Sequence, residues 1–389
     1  MVFAIKQQVI LLFFALLRSA ICGCKLEEKE KELLTNEYIE DVVSLSKKHD
    51  IAHLIAYGLS LNKLLNNESS NIYNEIMKAV YRYEQLNYEY CKLCEALEKA
   101  QIPFIPLKGS VIRKYYPEPW MRTSCDIDIL VKESDVEIAV DYLVSNYGYS
   151  CEKKSSHDIS LYSTNNNHLE LHYDLVEQIL MNNACKVLKT VWENTTTYGK
   201  YDYWYVMSDE MFYFYHIAHI VKHFESGGCG IRPFIDLWIL DNIDRGDRNK
   251  KDELLEDGGL LKFSEVSRQL CRVWFENEEH TAITKQMEQY IVNGGVYGSL
   301  KNRVKIQGQK EGGKWKYVFF RIFLPYEHLK LEYPCLIKNK WLTPIVQLRR
   351  WFRIVFGGRI KHAAKEIKYS VNINTDEVQM TEFLKDIGL

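Results

Sequence analysis

The chain has 389 residues, 47% hydrophobic and 26% charged, with a net charge of −2. That composition is ordinary for a globular protein and leaves room for two or more domains. The near-neutral charge of the whole molecule announces no polyanionic partner. The ten cysteines show no secreted-type disulfide framework. Reduced thiols and a cytoplasmic home are therefore expected.

In chain order, Val9 to Leu17 is an apolar run too short for the ~20 residues that span a bilayer. With Arg18 and Ala20-Ile-Cys-Gly-Cys24 behind it, the run resembles a signal-peptide core. The preferred reading is a buried first helix, because a single lysine precedes it. Glu37 to Leu64 and Asn71 to Ala100 carry apolar residues at helical spacing. The second places Ile76, Val80, Tyr83, Leu86, Tyr90, Leu93 and Leu97 on one face, which reads as core. Cys91 and Cys94 fall in this helix with no second pair to complete a zinc site.

Pro103 ends the helix, and the pattern changes. Strands are expected at Phe104–Leu107, Ile127–Val131, Tyr149–Lys153, Ile159–Ser163 and His168–Tyr173, the last two joined by the turn at residues 164–167. Helices are expected at Gly109–Tyr115 and Asp135–Tyr147, the latter closed by Gly148. No glycine-rich dinucleotide or P-loop motif is present. Beyond Asp174 the chain reads as mostly helical. A helix is expected near residues 184–193, a strand-like run at Tyr198–Val206, and a Ser208-capped helix to Phe224. A glycine turn at Gly227–Gly230, a helix at Arg232–Ile243 and a charged loop at Asp244–Asp252 follow. Amphipathic helices with glycine breaks complete the chain, with no internal repeat.

The chemistry concentrates in Phe104 to Val131. Asp126 and Asp128 are two apart, so a strand places both carboxylates on one face and Ile127 and Ile129 on the other. Like charges so close repel, and a divalent metal held by oxygen ligands is the usual compensation. Removing either carboxylate is then expected to relieve repulsion in the metal-free protein. Elsewhere, His219, Lys222 and His223 share one helix face. Their spacing is that of a zinc-protease helix, but the glutamate that would serve as general base is missing. Two readings stay open for this face: a polar helix–helix contact, or a lining of a nucleotide cleft together with Arg232 and Asp236. His157-Asp158 is a fragment of a metal-phosphohydrolase signature without its partners.

The same stretch resembles the nucleotidyltransferase superfamily of the polymerase-β-like fold. The likeness rests on Gly109-Ser110, Asp126-Ile-Asp128, and Glu170 within His168-Leu-Glu-Leu-His172. It is similar in more detail to a bacterial family of uncharacterised nucleotidyltransferases, through Leu107-Lys108-Gly109, Tyr116-Pro117, Arg122, Asp126 to Val131, and the strand ending in His172. The resemblance implies an α+β fold: a small mixed sheet with helices, flanked by N-terminal helices (residues 1–100) and a C-terminal helical domain (207–389), with the core at 101–206. It implies a transferase that moves a nucleoside monophosphate from an NTP, taken as ATP, and releases pyrophosphate. Two Mg²⁺ ions would sit on Asp126, Asp128 and Glu170. Gly109 would permit close backbone approach, and Ser110 and the helix N–H groups would hold a phosphate. Lys108 and Arg122 would neutralise phosphate oxygens or brace the aspartates, and His219, Lys222 and His223 would line the nucleotide. The alternatives are a catalytically inactive nucleotide-binding protein of the same fold, or a membrane-surface or polyanion-binding protein.

The acceptor is unidentified, but charge gives one clue. Lys301 to Lys368 holds 17 Lys and Arg against four Glu, interleaved with Trp315, Tyr317, Phe319, Phe320, Trp341, Trp351, Phe352 and Phe356. Such a tract suits an anionic acceptor or a peripheral membrane location. The competing reading is a core of aromatics under a solvated basic face.

Overall fold

The computed structural model describes residues 5–64, 70–155, 157–175, 182–243, 245–296, 298–299, 302–304, 306, 314–333, 335–356 and 376–389. They form two compact units, Met1–Ile220 with Ile231–Lys285, and Val221–Gly230 with Gln286–Leu389.

In the first unit the apolar run Val9 to Leu17 lies within α1 (Gln7–Cys22) and is packed. Leu12, Phe13, Leu16 and Leu17 are fully buried, and the Phe14 ring stacks on Trp274 at 4.3 Å. Arg18 is buried in an ion pair with Glu30, which caps a short helix, α2 (Glu28–Lys31). The periodic stretch from Glu37 is two helices, α3 (Asn36–Lys48) and α4 (Ala52–Leu61). They are broken at Asp50, whose φ of 53° is left-handed. Helical periodicity continues across this break, so spacing alone does not reveal it.

α4 crosses α1 at Gly58, where an added Cβ would run into the Leu16 carbonyl oxygen. Gly58→Ala is accordingly expected to cost about 1–3 kcal/mol through overpacking. A urea midpoint equal to the wild type's would show that the crossing tolerates a methyl group.

α5 (Ser70–Lys99) buries Leu86, Leu93, Cys94 and Leu97 against the sheet. Tyr90 packs against this core as expected, whereas Tyr83 is half-buried; both also line a cavity. The sheet contains β1 (Phe104–Pro106), β2 (Asp126–Val131), β3 (Ser150–Lys154), β4 (Asp158–Tyr162) and β5 (His168–His172), in the order β1-β2-β5-β4-β3. Only β2 and β5 are parallel; the other pairs are antiparallel. Between β1 and β2 lie α6 (Lys108–Ile112) and two short 3₁₀ turns. α7 (Val136–Tyr147), ended by Gly148 at φ 71°, packs beside α5. Ile127, Ile129, Leu169 and Leu171 join this core, so the alternate residues of β2 and β5 face the other way. This is the small mixed sheet with helices that the sequence implies.

Three local expectations are corrected. The expected helix near 184–193 is α8 (Asn182–Leu188) followed by a 3₁₀ turn at Val191–Asn194. The strand-like run at Tyr198–Val206 is mostly a loop between β6 (Thr195–Thr197) and β7 (Tyr205–Met207), with Tyr198, Tyr201 and Trp204 packed ring against ring. Aromatic β-formers there pack on one another instead of extending a ladder. The charged segment after residue 244 becomes α11 (Arg248–Asp257), because the Asp247 carboxylate caps the N–H groups of Asn249 and Lys250. α9 (Asp209–Glu225) starts as expected, with Ser208 Oγ accepting from the Met211 N–H at 3.2 Å. α10 (Arg232–Asn242) and α12 (Leu261–Glu276) pack together and complete this unit.

The second unit includes most of α13 (Ala282–Gly294), where Tyr290 packs on Phe224 and Phe383. It also holds helices at Lys314–Ile322, Tyr326–Glu332, Thr343–Phe356 and Asp376–Asp386; Leu329 and Val346, from the second and third of these, form a small core with Leu336. Among the described residues no helix is long and apolar enough to cross a membrane.

Candidate functional site

The parallel register of β2 and β5 sets Asp126 opposite His168 and Asp128 opposite Glu170. With side chains alternating, five polar groups emerge on one face: Asp126, Asp128, His168, Glu170 and His172. Ligand atoms of Asp126, His168 and Glu170 lie within 4.8 Å of one another, and so do those of Asp128, Glu170 and His172. The two groups share Glu170, so the arrangement can accommodate adjacent cations. Asp128 and His172 are buried, whereas Asp126, His168 and Glu170 are half-buried, so the cluster opens toward the Asp126 end.

Lys108 reaches this face from the turn into α6. Its ammonium donates to Asp128 Oδ1 at 2.6 Å and lies 3.9 Å from Glu170 Oε2. His172 Nε2 bonds the same Asp128 oxygen at 2.8 Å and lies 3.5 Å from Glu170. Burial opposes the charge of Asp128, yet Lys108 and His172 hold its carboxyl well below the usual range. Asp126 lacks these hydrogen bonds, and burial and the neighbouring Asp128 charge outweigh the fields of Lys108 and His168 and push its carboxyl up to about 6. Burial works against the imidazolium of His172, but its bonds to Asp128 and Glu170 raise it overall. Two carboxylates on one strand thus sit in opposite electrostatic environments.

The predicted residues separate in space. Asp126, Asp128, Glu170 and Lys108 are brought together. Arg122 is not: it is turned away to Asp236 on α10, with Nε 2.7 and 2.9 Å from the two carboxylate oxygens, and Tyr116 donates to the same carboxylate at 2.6 Å. Gly109 has no special backbone angle, since the left-handed residue of this turn is Lys108 at φ 45°. A Cβ at 109 would make ordinary contacts, 3.5 Å from Arg122 and Ser124. The Ser110 N–H is used inside the turn, donating to Leu107 O at 3.2 Å, and Ser110 lines a cavity against α5. Of the N–H groups expected to cradle a phosphate, that of Ser110 is therefore occupied. Arg232, expected beside the nucleotide, pairs with Asp50. His219, Lys222 and His223 are half-buried on α9. The His219 ring lies 6.2 Å from that of Tyr215. Lys222 and His223 belong to the second unit.

Sequence reasoning missed four contributors. His168 and His172 alternate with Glu170, and that period-two pattern alone would have placed them on the acidic face. Tyr215, buried on α9, stands within electrostatic reach of the cluster. Burial raises its phenol, Lys108 opposes this, and Asp128, Glu170 and Asp126 add to it. Arg113 positions α6 over the start of β2 by donating to Gly109 O at 2.8 Å and Ser124 Oγ at 2.9 Å.

The donor set fits a hard divalent cation: three carboxylates supply oxygen ligands, and His172 orients two of them from behind. No curated protein and no solved structure matches the chain. A family described as uncharacterised nucleotidyltransferase matches residues 35–276, which span α3 to α5, the sheet with its carboxylate cluster and the helices through α12. The chain belongs to this nucleotidyltransferase family.

Proposed function

We propose that the protein is a Mg²⁺-dependent nucleotidyltransferase that moves a nucleoside monophosphate from an NTP, taken as ATP, to an acceptor hydroxyl or phosphate oxygen. The observation that carries this reading is the Asp126–Asp128–Glu170 face, where carboxylates from two adjacent parallel strands form two potential ligand groups joined at Glu170. When bound there, paired Mg²⁺ ions would stabilise charge on the attacking and leaving oxygens. The chain's own part is positional. Asp126 and Glu170 offer oxygens at the open end, and His172 fixes the rotamer of Asp128. In the metal-free protein Lys108 neutralises Asp128, and with NTP present it exchanges that partner for a phosphate oxygen. Glu170, half-exposed beside the pair, takes the acceptor's proton. On this reading residues 101–206 are the catalytic core, and His219, one turn beyond Tyr215 on α9, lines the nucleotide.

The direct test is pyrophosphate release, with thermal stabilisation measured for each NTP in the presence of Mg²⁺. Lys108→Met is expected to lower turnover about 100-fold or more and to retain metal-dependent binding. If the wild type binds Mg²⁺–NTP but releases no pyrophosphate with any acceptor, the inactive nucleotide-binding alternative holds. If no NTP stabilises it at all, the site assignment fails.

For the acceptor, the basic tract supports an anionic molecule or an anionic membrane surface, which would make a cytoplasmic enzyme peripheral to the membrane. In the helix Thr343–Phe356, Ile345, Leu348, Phe352 and Phe356 are exposed along one stripe beside Arg349 and Arg353, and Trp341 is exposed just before it. Those aromatics are not core. Arg350, in contrast, is buried and donates to the carbonyls of Arg321 and Ile322, so it is structural. Gly357 to Lys368, and the side chains of Trp315 and Tyr317, lie outside the described residues. Arg349→Gln with Arg353→Gln and Lys340→Gln is expected to weaken binding to phosphatidylserine vesicles with steep salt dependence, leaving NTP binding intact. Vesicle binding equal to the wild type's would assign the tract a structural role.

A further inference from the structure

The first unit holds a second polar centre that the carboxylate cluster does not use. A cavity of about 340 Å³ opens along the outer edge of β1, in the range of small-molecule sites. Pro106, Val111, Val206, Met207 and Phe212 give it an apolar floor, and Tyr115, Tyr198 and Tyr213 give it aromatic walls. Its charged lining is Lys114, Arg245 and Lys251 against Asp209. Asp209 is taken by Arg245 at 3.2 Å, and Arg245 also donates to the Tyr115 hydroxyl at 3.0 Å.

Lys251 is the informative residue. It is 7% exposed, and an ammonium so buried normally has a carboxylate partner. Among the described residues Lys251 instead donates to the Arg245 carbonyl oxygen at 2.6 Å and lies over the Tyr213 ring at 5.1 Å. The turn that holds it is closely built. Gly246 has φ 73°, and a Cβ there would press within 3.0 Å of Asp209 Cβ and Lys251 Cε. The Asp247 N–H donates to Glu210 at 2.7 Å.

A smaller cavity of about 200 Å³ adjoins the first and shares Pro106, Val111, Lys114, Tyr198 and Val206 with it. It is lined by Arg113, also 7% exposed, whose bonds go to neutral oxygens and whose guanidinium lies over the Tyr83 ring at 5.8 Å. Each arm of this cleft is thus lined by one buried cation, and among the described residues neither has a carboxylate within ion-pair distance, although Asp241 acts on Lys251 and Asp126 on Arg113 from further away. Such charges are costly unless an anion completes them.

We propose that this cleft is a ligand site, separate from the Asp126–Asp128–Glu170 cluster, for a small amphipathic anion. The acidic headgroup lies on Lys251 and Arg245, and a flat apolar body lies between the tyrosines and Val206. The proposal does not rest on metal binding by the carboxylates. A carboxylate and a phosphate monoester meet the same cations, so the headgroup source is an arm of the experiment.

The test uses the full-length protein in calorimetric titrations with 1-naphthoate, 1-naphthyl phosphate, neutral 1-naphthol and inorganic phosphate. Both naphthyl anions are expected to bind about tenfold or more tighter than 1-naphthol, as charge-assisted bonds require. The tighter of the two names the headgroup. Lys251→Met is expected to lower anion affinity about tenfold and leave 1-naphthol unchanged, and Val206→Phe is expected to abolish binding by filling the cavity. Should Lys251→Met fail to fold, Arg245→Met and Lys114→Met, both more exposed, carry the same expectation in weaker form. Equal affinity for the anions and 1-naphthol, binding of inorganic phosphate alone, or undiminished binding to Val206→Phe overturns the assignment. Displacement of the probe by ATP with Mg²⁺ overturns the separateness of the two sites.

Discussion

In the metal-free protein Asp126→Asn is expected to raise stability and Asp128→Asn to lower it, although the two residues share one strand face. The sequence expectation treated them alike, because like-charge repulsion is symmetric. The structure breaks the symmetry. Lys108 and His172 both bond Asp128, and neither is shown bonded to Asp126. Asp126 therefore carries the unrelieved part of the repulsion. With its carboxyl raised to about 6 from an ordinary 3.8, the folded state holds its proton more tightly than the unfolded state does. Its charge opposes folding increasingly as pH rises from about 4 to about 6, and fully above that range. The penalty at neutral pH is on the order of 3 kcal/mol as an upper bound. Asp126→Asn removes it, and removes with it the gain that the wild type shows on acidification from pH 7.5 to 5.

Asp128→Asn acts in the opposite direction, because it strands a buried ammonium beside an imidazole. Breaking one side of a buried pair typically costs about 3–5 kcal/mol. Melting both variants at pH 7.5 and 5 without metal separates the cases. If both destabilise equally, or if Asp126→Asn keeps the wild-type pH slope, the unequal charge assignment fails. With Mg²⁺ and NTP, neither variant is expected to gain the wild type's ligand-dependent stabilisation.

The carboxylate face was legible in the sequence because it rests on period-two alternation and one short apolar run. Asp126-Ile-Asp128 and His168-Leu-Glu-Leu-His172 need only to be strands and neighbours for the cluster to form. The family resemblance supplied that adjacency. Roles that depend on rotamers and on long-range partners were not legible. Arg122 stands four residues before Asp126, yet its partner, Asp236, lies 114 residues further on. Gly109-Ser110 gave the right turn but the wrong backbone detail, since the left-handed angle falls on Lys108. Tyr83 and Tyr90 share one helical stripe, yet Tyr90 packs against the core while Tyr83 faces a cavity, because spacing does not tell a core from a cleft. The break at Asp50 and the α11 cap at Asp247 were lost for a similar reason: single polar residues decide them against an otherwise continuous pattern.

The network that displaced Arg122 from its expected role sets the second large effect. Asp236 is 2% exposed and accepts from Arg122 and Tyr116 together, joining α10 to the segment that precedes β2. Burial alone would raise its carboxyl, but Arg122 reverses this and holds it below the ordinary value. A depressed acid stabilises the fold above its unfolded value, and that contribution is lost as pH falls below about 4. Asp236→Ala leaves a buried guanidinium and a buried phenol unmatched, which is expected to cost about 3–5 kcal/mol. Replacing both charged partners, as Arg122→Met with Asp236→Leu, is expected to recover most of that loss, because no charge is then left buried alone. Urea unfolding of the two single variants and the double variant measures the coupling directly. Additive losses would mean that the pair is not coupled in solution. Arg122 would then be available for the phosphate role that its position before Asp126 first implied.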